Sequence, residues 1–217
     1  MAKPTQARER RRIAEIFDRF AAAAPEPRTE LRYRTPFELL VAVVLSAQAT
    51  DRSVNKVTAR LFEIAPSPQA MLAVGELNLI PLIASIGLFR TKARNVITLS
   101  RLLIERHGGE VPRDRVALQA LPGVGRKTAS VVVNELGVEP AIAVDTHVFR
   151  LAHRLGLAVG KTPDLVEDEL MHKLPRERLT RAHHWLILHG RYVCVARKPR
   201  CGACLVADLC PSQGRFI

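Results

Sequence analysis

No stretch of the 217 residues approaches the roughly 18 consecutive apolar positions that a membrane-spanning helix requires, and the opening MAKPTQARERRR has no apolar segment behind its charges. A membrane protein and an exported one are thereby set aside, and the expected setting is the cytoplasm. No segment alternates apolar and polar residues with the period of a half-buried strand. Long linkers, low-complexity tracts and internal repeats are missing too. Acidic residues are scarce: 21 Asp and Glu against 33 Lys and Arg leave a net charge of +12. That balance is the electrostatic footprint of a nucleic-acid binder, although it would also suit anionic lipid. Cysteine is absent from the first three quarters of the chain, and all four crowd into the last. Disulfides are not expected in the cytoplasm, so the four need another use.

What is present is helical. Ile13, Ile16, Phe17 and Phe20 fall on one face of a helix stopped by Pro25 and Pro27. Thr35-Pro36-Phe37-Glu38 has the form of a capping box with proline at the first helical position, and Phe37, Leu40, Val41, Val44 and Leu45 continue its apolar stripe. Thr50 or Asp51 caps the next helix, Ser67-Pro68 opens another, and Gly87 and Gly108-Gly109 read as left-handed helix ends. Asp114 starts a short helix, a further one runs to Gly137, and Asp145 caps one ending at Gly156. Thr162-Pro163 begins the next, and a last helix runs from about Glu177 to the first cysteine with the lone Trp185 on it. Ten or so short helices without a linker pack as one or two compact lobes. Patterning alone does not say where lobes divide.

Between the short helix at Asp114 and the next lies LPGVGRKT, residues 121–128. Two helices joined by such a tight connection form a helix-hairpin-helix, whose backbone amides from Gly123 and Val124 to Gly125 and Arg126 can hold a DNA phosphate without reading sequence. Gly123 equally serves to end the preceding helix. Lys127, in the first turn of the following helix, opposes the macrodipole, and the same positive end disfavours its charged form. A Schiff-base nucleophile needs its amine free of the proton, and a lysine set behind a glycine turn is a candidate for that role. The competing reading is a surface charge paired with phosphate.

Asp145 stands at the break between the apolar run AIAV and a new helix. It reads as an N-cap, or as a carboxylate that stabilises positive charge on a sugar and moves protons, and one residue can do both. His147 reads as structural. Cys194, Cys201, Cys204 and Cys210 are spaced C-x6-C-x2-C-x5-C, four thiolates that can converge on one centre. Such a set suits zinc or an iron–sulfur cluster, and lacks the open position of a catalytic zinc. A metal there would brace a loop bearing Arg197, Lys198 and Arg200, charges able to track phosphates.

Taken together, LPGVGRKTA, VDTHVFRL, HHWLILHGRYVC, the cysteine tail and LLVAVVLSAQATDRSVNKV resemble the endonuclease III family of helix-hairpin-helix DNA glycosylases, over nearly the whole chain. The related adenine glycosylases share the cysteine pattern but lack a lysine where Lys127 stands. The resemblance implies a 4Fe-4S cluster rather than zinc, and an all-α fold of two helical lobes flanking a DNA-binding cleft. One lobe would be a six-helix barrel with the hairpin, residues 29–139. The other would be a discontinuous iron–sulfur domain, residues 1–28 and 140–217. Lys127 and Asp145 would face each other across the cleft. The implied activity is that of a bifunctional glycosylase and AP lyase on oxidised pyrimidines in damaged double-stranded DNA, working as a monomer at the nucleoid. Gln48 would fill the gap left by the flipped nucleotide and Leu88 would wedge into the opposite strand.

Overall fold

The structure, a computed structural model, describes residues 5–215. Its α-helices are α1 (Gln6–Ala23), α2 (Pro36–Leu45), α3 (Asp51–Ile64), α4 (Pro68–Ile83), α5 (Phe89–His107), α6 (Arg115–Gln119), α7 (Arg126–Glu135), α8 (Thr146–Arg154), α9 (Pro163–Lys173) and α10 (Arg176–Tyr192). Two 3-10 turns follow, Cys201–Ala203 and Ala207–Leu209. Among the described residues there is no strand, and no helix is long and apolar enough to cross a membrane.

Side-chain chemistry local to each start sets most of these helices. Thr5, Thr35, Thr50, Ser67, Asp114, Asp145 and Thr162 are N-caps, each accepting from a backbone N–H two or three residues on. Thr50, not Asp51, takes the cap of α3. The capping box at Thr35 is half realised. Thr35 accepts from the Glu38 N–H at 3.2 Å, but the Glu38 carboxylate, nearly fully buried, turns to the Arg34 N–H at 2.6 Å and the Arg34 guanidinium at 2.9 Å. Gly108 and Gly109 are left-handed as expected, whereas at the earlier break Leu88 (φ 58) takes that conformation in place of Gly87.

The chain divides into two compact units. Thr29–Glu139 holds α2 to α7. Every residue of α2 from Phe37 to Leu45 is buried, a wider surface than its apolar stripe alone suggests, because α3, α5 and α7 all pack against it. The α4 span is interrupted at Gly75 (φ 72, ψ 164), a backbone state open in practice only to glycine.

The other unit joins the segment before Thr29 to the segment from Pro140 onward. Ile13, Ile16, Phe17 and Phe20 of α1 pack into one core with Val148 and Leu151 of α8, Val166 and Leu170 of α9, and Trp185 and Leu186 of α10. Burying each such side chain contributes roughly 1.5–3 kcal/mol. The Trp185 indole N–H donates to the Ala24 carbonyl at 2.8 Å, tying the end of α1 to α10.

Candidate active site and metal centre

The hairpin consists of α6, a turn and α7. Gly123 has φ 80, and a Cβ there would lie 2.9 Å from Asn95 Nδ2 and 3.2 Å from Val44 Cγ1, so both conformation and space demand glycine. Gly125 is different. Its backbone is extended, at φ −87 and ψ 179, and a Cβ there would meet nothing within 4 Å. As N-cap it gives α7 no side-chain acceptor, so the first N–H groups of that helix depend on something else. Val124 departs from the expected phosphate cradle: its N–H is committed to the Leu121 carbonyl at 3.1 Å and its side chain is buried. Gly125 is exposed, and directly after it the first turn of α7 carries Arg126 and the exposed Lys127.

Asp145 caps α8 through one oxygen only. Oδ1 accepts from both the His147 N–H and the Val148 N–H, each at 2.8 Å. The cap and the cysteines are tied together within the same unit by two arginines that sequence reasoning missed. Arg150 donates to the Cys194 carbonyl at 3.1 Å and to the Gly190 carbonyl at 2.7 Å, and its Nη2 lies 3.4 Å from His147 Nδ1. Arg154 donates to the Val195 and Ala196 carbonyls at 2.8 and 2.9 Å, and its Nη1 lies 3.5 Å from Cys194 Sγ. Their only signal in the sequence is a pair of arginines four apart on a helix, which share a face. His147 also sits tightly against α10: a Cβ on Gly190 would come within 3.1 Å of its Cβ and its carbonyl oxygen.

Cys194, Cys201, Cys204 and Cys210 line one hollow together with Leu151, Leu155, His189 and Val193. Burial raises the Cys204 thiol above the ordinary range, and the charges of the other three cysteines add to that; burial likewise raises Cys210. His189 lies 3.4 Å from Cys204 Sγ, and burial pushes its pKa down to about 4. Among the described residues no three His, Cys, Asp or Glu side chains gather as a single ion would need. The four sulfurs are partly buried, mutually repulsive in their thiolate form, and lined by Leu151, Leu155 and Val193 with His189 beside them. A polynuclear cationic centre satisfies those conditions.

Gln48 and Leu88 are exposed and belong to adjacent turns of one unit, since a Cβ on Gly87 would lie 3.6 Å from the Gln48 carbonyl oxygen. Arg197, Lys198 and Arg200 are exposed on the cysteine loop. Among the described residues the non-glycine positions with positive φ are Gln48 (53), Leu88 (58) and Lys198 (52). Each was singled out in the sequence for contact with DNA. Left-handed backbone at residues with a Cβ is uncommon and concentrates at ligand-binding sites.

A glycine-bared hairpin, a basic surface and a four-sulfur centre define a class before any individual relative is considered. Residues 41–176 match the family described as HhH-GPD superfamily base excision DNA repair protein, and residues 194–210 match the iron-sulfur binding domain of endonuclease III. Endonuclease III of Escherichia coli (strain K12) is 55% identical over 196 residues, covering 90% of this chain and 93% of that protein. Its counterpart from Haemophilus influenzae (strain ATCC 51907 / DSM 11121 / KW20 / Rd) is 56% identical with the same coverage. The protein in a trapped endonuclease III–DNA covalent intermediate superposes with a TM-score of 0.90 at 48% identity, over 95% of this chain and 97% of that one. A thermostable thymine-DNA glycosylase, 22% identical with a TM-score of 0.84, shares the fold. The chain belongs to the endonuclease III family of the HhH-GPD superfamily and is accordingly a DNA glycosylase and AP lyase of base excision repair.

The family's cofactor is the 4Fe-4S cluster, and Cys194, Cys201, Cys204 and Cys210 fit it. Cys194, Cys201, Cys204 and Cys210 would hold it, and it would supply the positive charge that four converging thiolates lack, on a loop whose carbonyls Arg150 and Arg154 already bind. Replacing Arg150 with methionine removes charge-assisted bonds to two carbonyls, at a cost of about 2–3 kcal/mol. The variant should melt at a lower temperature and carry less visible cluster absorbance per chain. Unchanged melting and colour would mean that the cysteine loop holds itself.

Proposed function

We propose that this activity is directed at oxidised pyrimidines in double-stranded DNA, that the protein works as a monomer at the cytoplasmic nucleoid, and that Lys127 and Asp145 carry the chemistry. The observation that carries the assignment is Lys127 itself, an exposed amine on the first turn of α7 directly behind a glycine turn open to a phosphate. The amides of Gly125 and Arg126 would hold the DNA backbone, with Gly123 shaping the turn. Gln48 would occupy the space of the extruded nucleotide and Leu88 would enter the opposite strand, both from turns already held left-handed.

In the reaction, the neutral Lys127 Nζ attacks C1′ as the glycosidic bond breaks, and the base leaves with the bonding electron pair and takes up a proton. Asp145 stabilises the oxocarbenium-like sugar through the oxygen not engaged in capping α8, and assists the proton transfers. Opening of the sugar ring gives an iminium between Nζ and C1′. Loss of a C2′ proton then breaks the C3′–O bond, which cuts the strand on the 3′ side. Water hydrolyses the imine and frees the lysine.

Borohydride reduction during turnover, across duplexes carrying oxidised pyrimidines, oxidised purines or no lesion, tests the substrate class. Covalent trapping should be strongest with oxidised pyrimidines, and a preference for oxidised purines would overturn the assignment. Affinity should also fall steeply with salt, by about 0.9 in log K per log unit of salt for each phosphate neutralised. Changing Arg197, Lys198 and Arg200 together to alanine should flatten that slope by about 3 in fluorescence anisotropy titrations. An unaltered slope would remove the cysteine loop from the interface.

A further inference from the structure

Lys92 is 4% exposed, and its Nζ is buried without a hydrogen-bond partner. Burial holds its pKa below the ordinary lysine value. A lysine at the edge of a core normally carries its ammonium out to water, and an apolar side chain of similar size would make the free protein more stable. Such a group calls for a state of the molecule in which it has acceptors.

Its neighbourhood indicates which state. Lys92 lies in the first turn of α5, and its backbone N–H bonds the Leu88 carbonyl at 3.0 Å. Side chains on a helix lean toward its N-terminus, here toward Gly87 and Leu88. Gly87 in turn lies against the Gln48 carbonyl. Three residues further along the same face, Asn95 packs against Gly123 of the hairpin. Lys92 is thus joined through its backbone to the Leu88 turn, on the helix face that also meets the hairpin, and the ordinary lean of a helical side chain aims its ammonium back toward the Gln48 and Leu88 turns. Both turns are held at left-handed residues bearing a Cβ, and a shift in their dihedrals would re-aim their carbonyls.

We propose that Lys92 is a positioning residue whose ammonium, unpartnered in the free protein, donates to backbone carbonyls of the turns carrying Gln48 and Leu88 once DNA engages them. The inference rests on the placement of Gln48 and Leu88 on DNA proposed above. Lys92 touches neither DNA nor the reacting atoms. It makes the DNA-bound form of both turns more favourable relative to the free form, so insertion at a lesion draws on an interaction that undamaged duplex does not elicit.

The test is Lys92→Met in the full-length, cluster-loaded protein, with Leu88→Ala and Gln48→Ala measured beside it. Lys92→Met should melt at the same or a higher temperature than the parent protein. Its affinity for a duplex carrying a stable abasic-site analogue should fall about tenfold or more, while its affinity for undamaged duplex holds. A lower melting temperature, a failure to fold, or equal losses on both duplexes would make Lys92 an ordinary structural residue and overturn the proposal. If Leu88→Ala and Gln48→Ala both leave lesion affinity intact, the reading on which the inference rests has failed. If they weaken it and Lys92→Met does not, the inference about Lys92 alone has failed.

Discussion

Lys127→Gln is expected to lose strand cleavage and borohydride trapping together, by on the order of 10^4-fold or more, while binding to a lesion-bearing duplex stays within about threefold of the parent protein. The two readouts separate because the hairpin would grip DNA through the backbone of Gly125 and Arg126, which the substitution leaves untouched. Glutamine keeps the length and polarity of lysine but has no amine able to form an imine. The fold should not suffer. Lys127 is exposed at the positive end of α7, where a cation is disfavoured, so the melting temperature should hold or rise slightly. Single-turnover cleavage, trapping on denaturing gels and anisotropy on the same duplex measure all three. A loss of affinity as large as the loss of cleavage would return Lys127 to the role of a phosphate contact.

Asp145→Asn is expected to slow base excision by roughly 10^2- to 10^4-fold without destabilising the protein by more than about 0.5 kcal/mol. The structure makes this experiment cleaner than the sequence suggests. Both capping bonds go to Oδ1, and the amide oxygen of asparagine can accept the same two N–H groups. What asparagine cannot supply is negative charge on the other oxygen. Asp145→Ala loses the cap as well, at a cost of about 1 kcal/mol, and so calibrates the thermal melts. Should asparagine match the parent protein in rate, Asp145 would be a helix cap and nothing more.

These contrasts also mark what the sequence can carry. Helix starts were legible because their chemistry is local: Thr35, Ser67, Asp114, Asp145 and Thr162 each bond within three residues of themselves. The cysteine centre was legible because four ligands fall within 17 residues. The choice between zinc and iron–sulfur was not, since spacing does not report charge or apolar walling. At the break before α5, a glycine offered an obvious left-handed residue, and the conformation fell one position later on Leu88. Composition carries no trace of that strain. The Val124 N–H was misjudged because turn geometry, which spends it on Leu121, is invisible in a string of letters. Arg12, Arg150 and Arg154 bond carbonyls between 40 and 197 positions away, and no local pattern announces such partners. Lys92 is the extreme case: nothing in RTKARN distinguishes a buried ammonium from a solvated one.

The pairing of α1 with the far end of the chain has a temporal consequence. Thr29–Glu139 is continuous, whereas the apolar face of α1 finds its partners in α8, α9 and α10, and Arg12 its carbonyl acceptors at Leu155 and Leu209, so α1 is not fully covered until Leu209 emerges. At about 5–20 residues per second that interval lasts roughly 10–40 seconds. During it α1 waits with Ile16 and Phe17 incompletely covered, in the range of any holdase nearby. The fourth ligand, Cys210, is translated after Cys194, Cys201 and Cys204, so the cluster can be fully ligated only once that residue too has emerged. The α1 helix and the cluster thus both become secure only after the segment from Pro140 onward has been made.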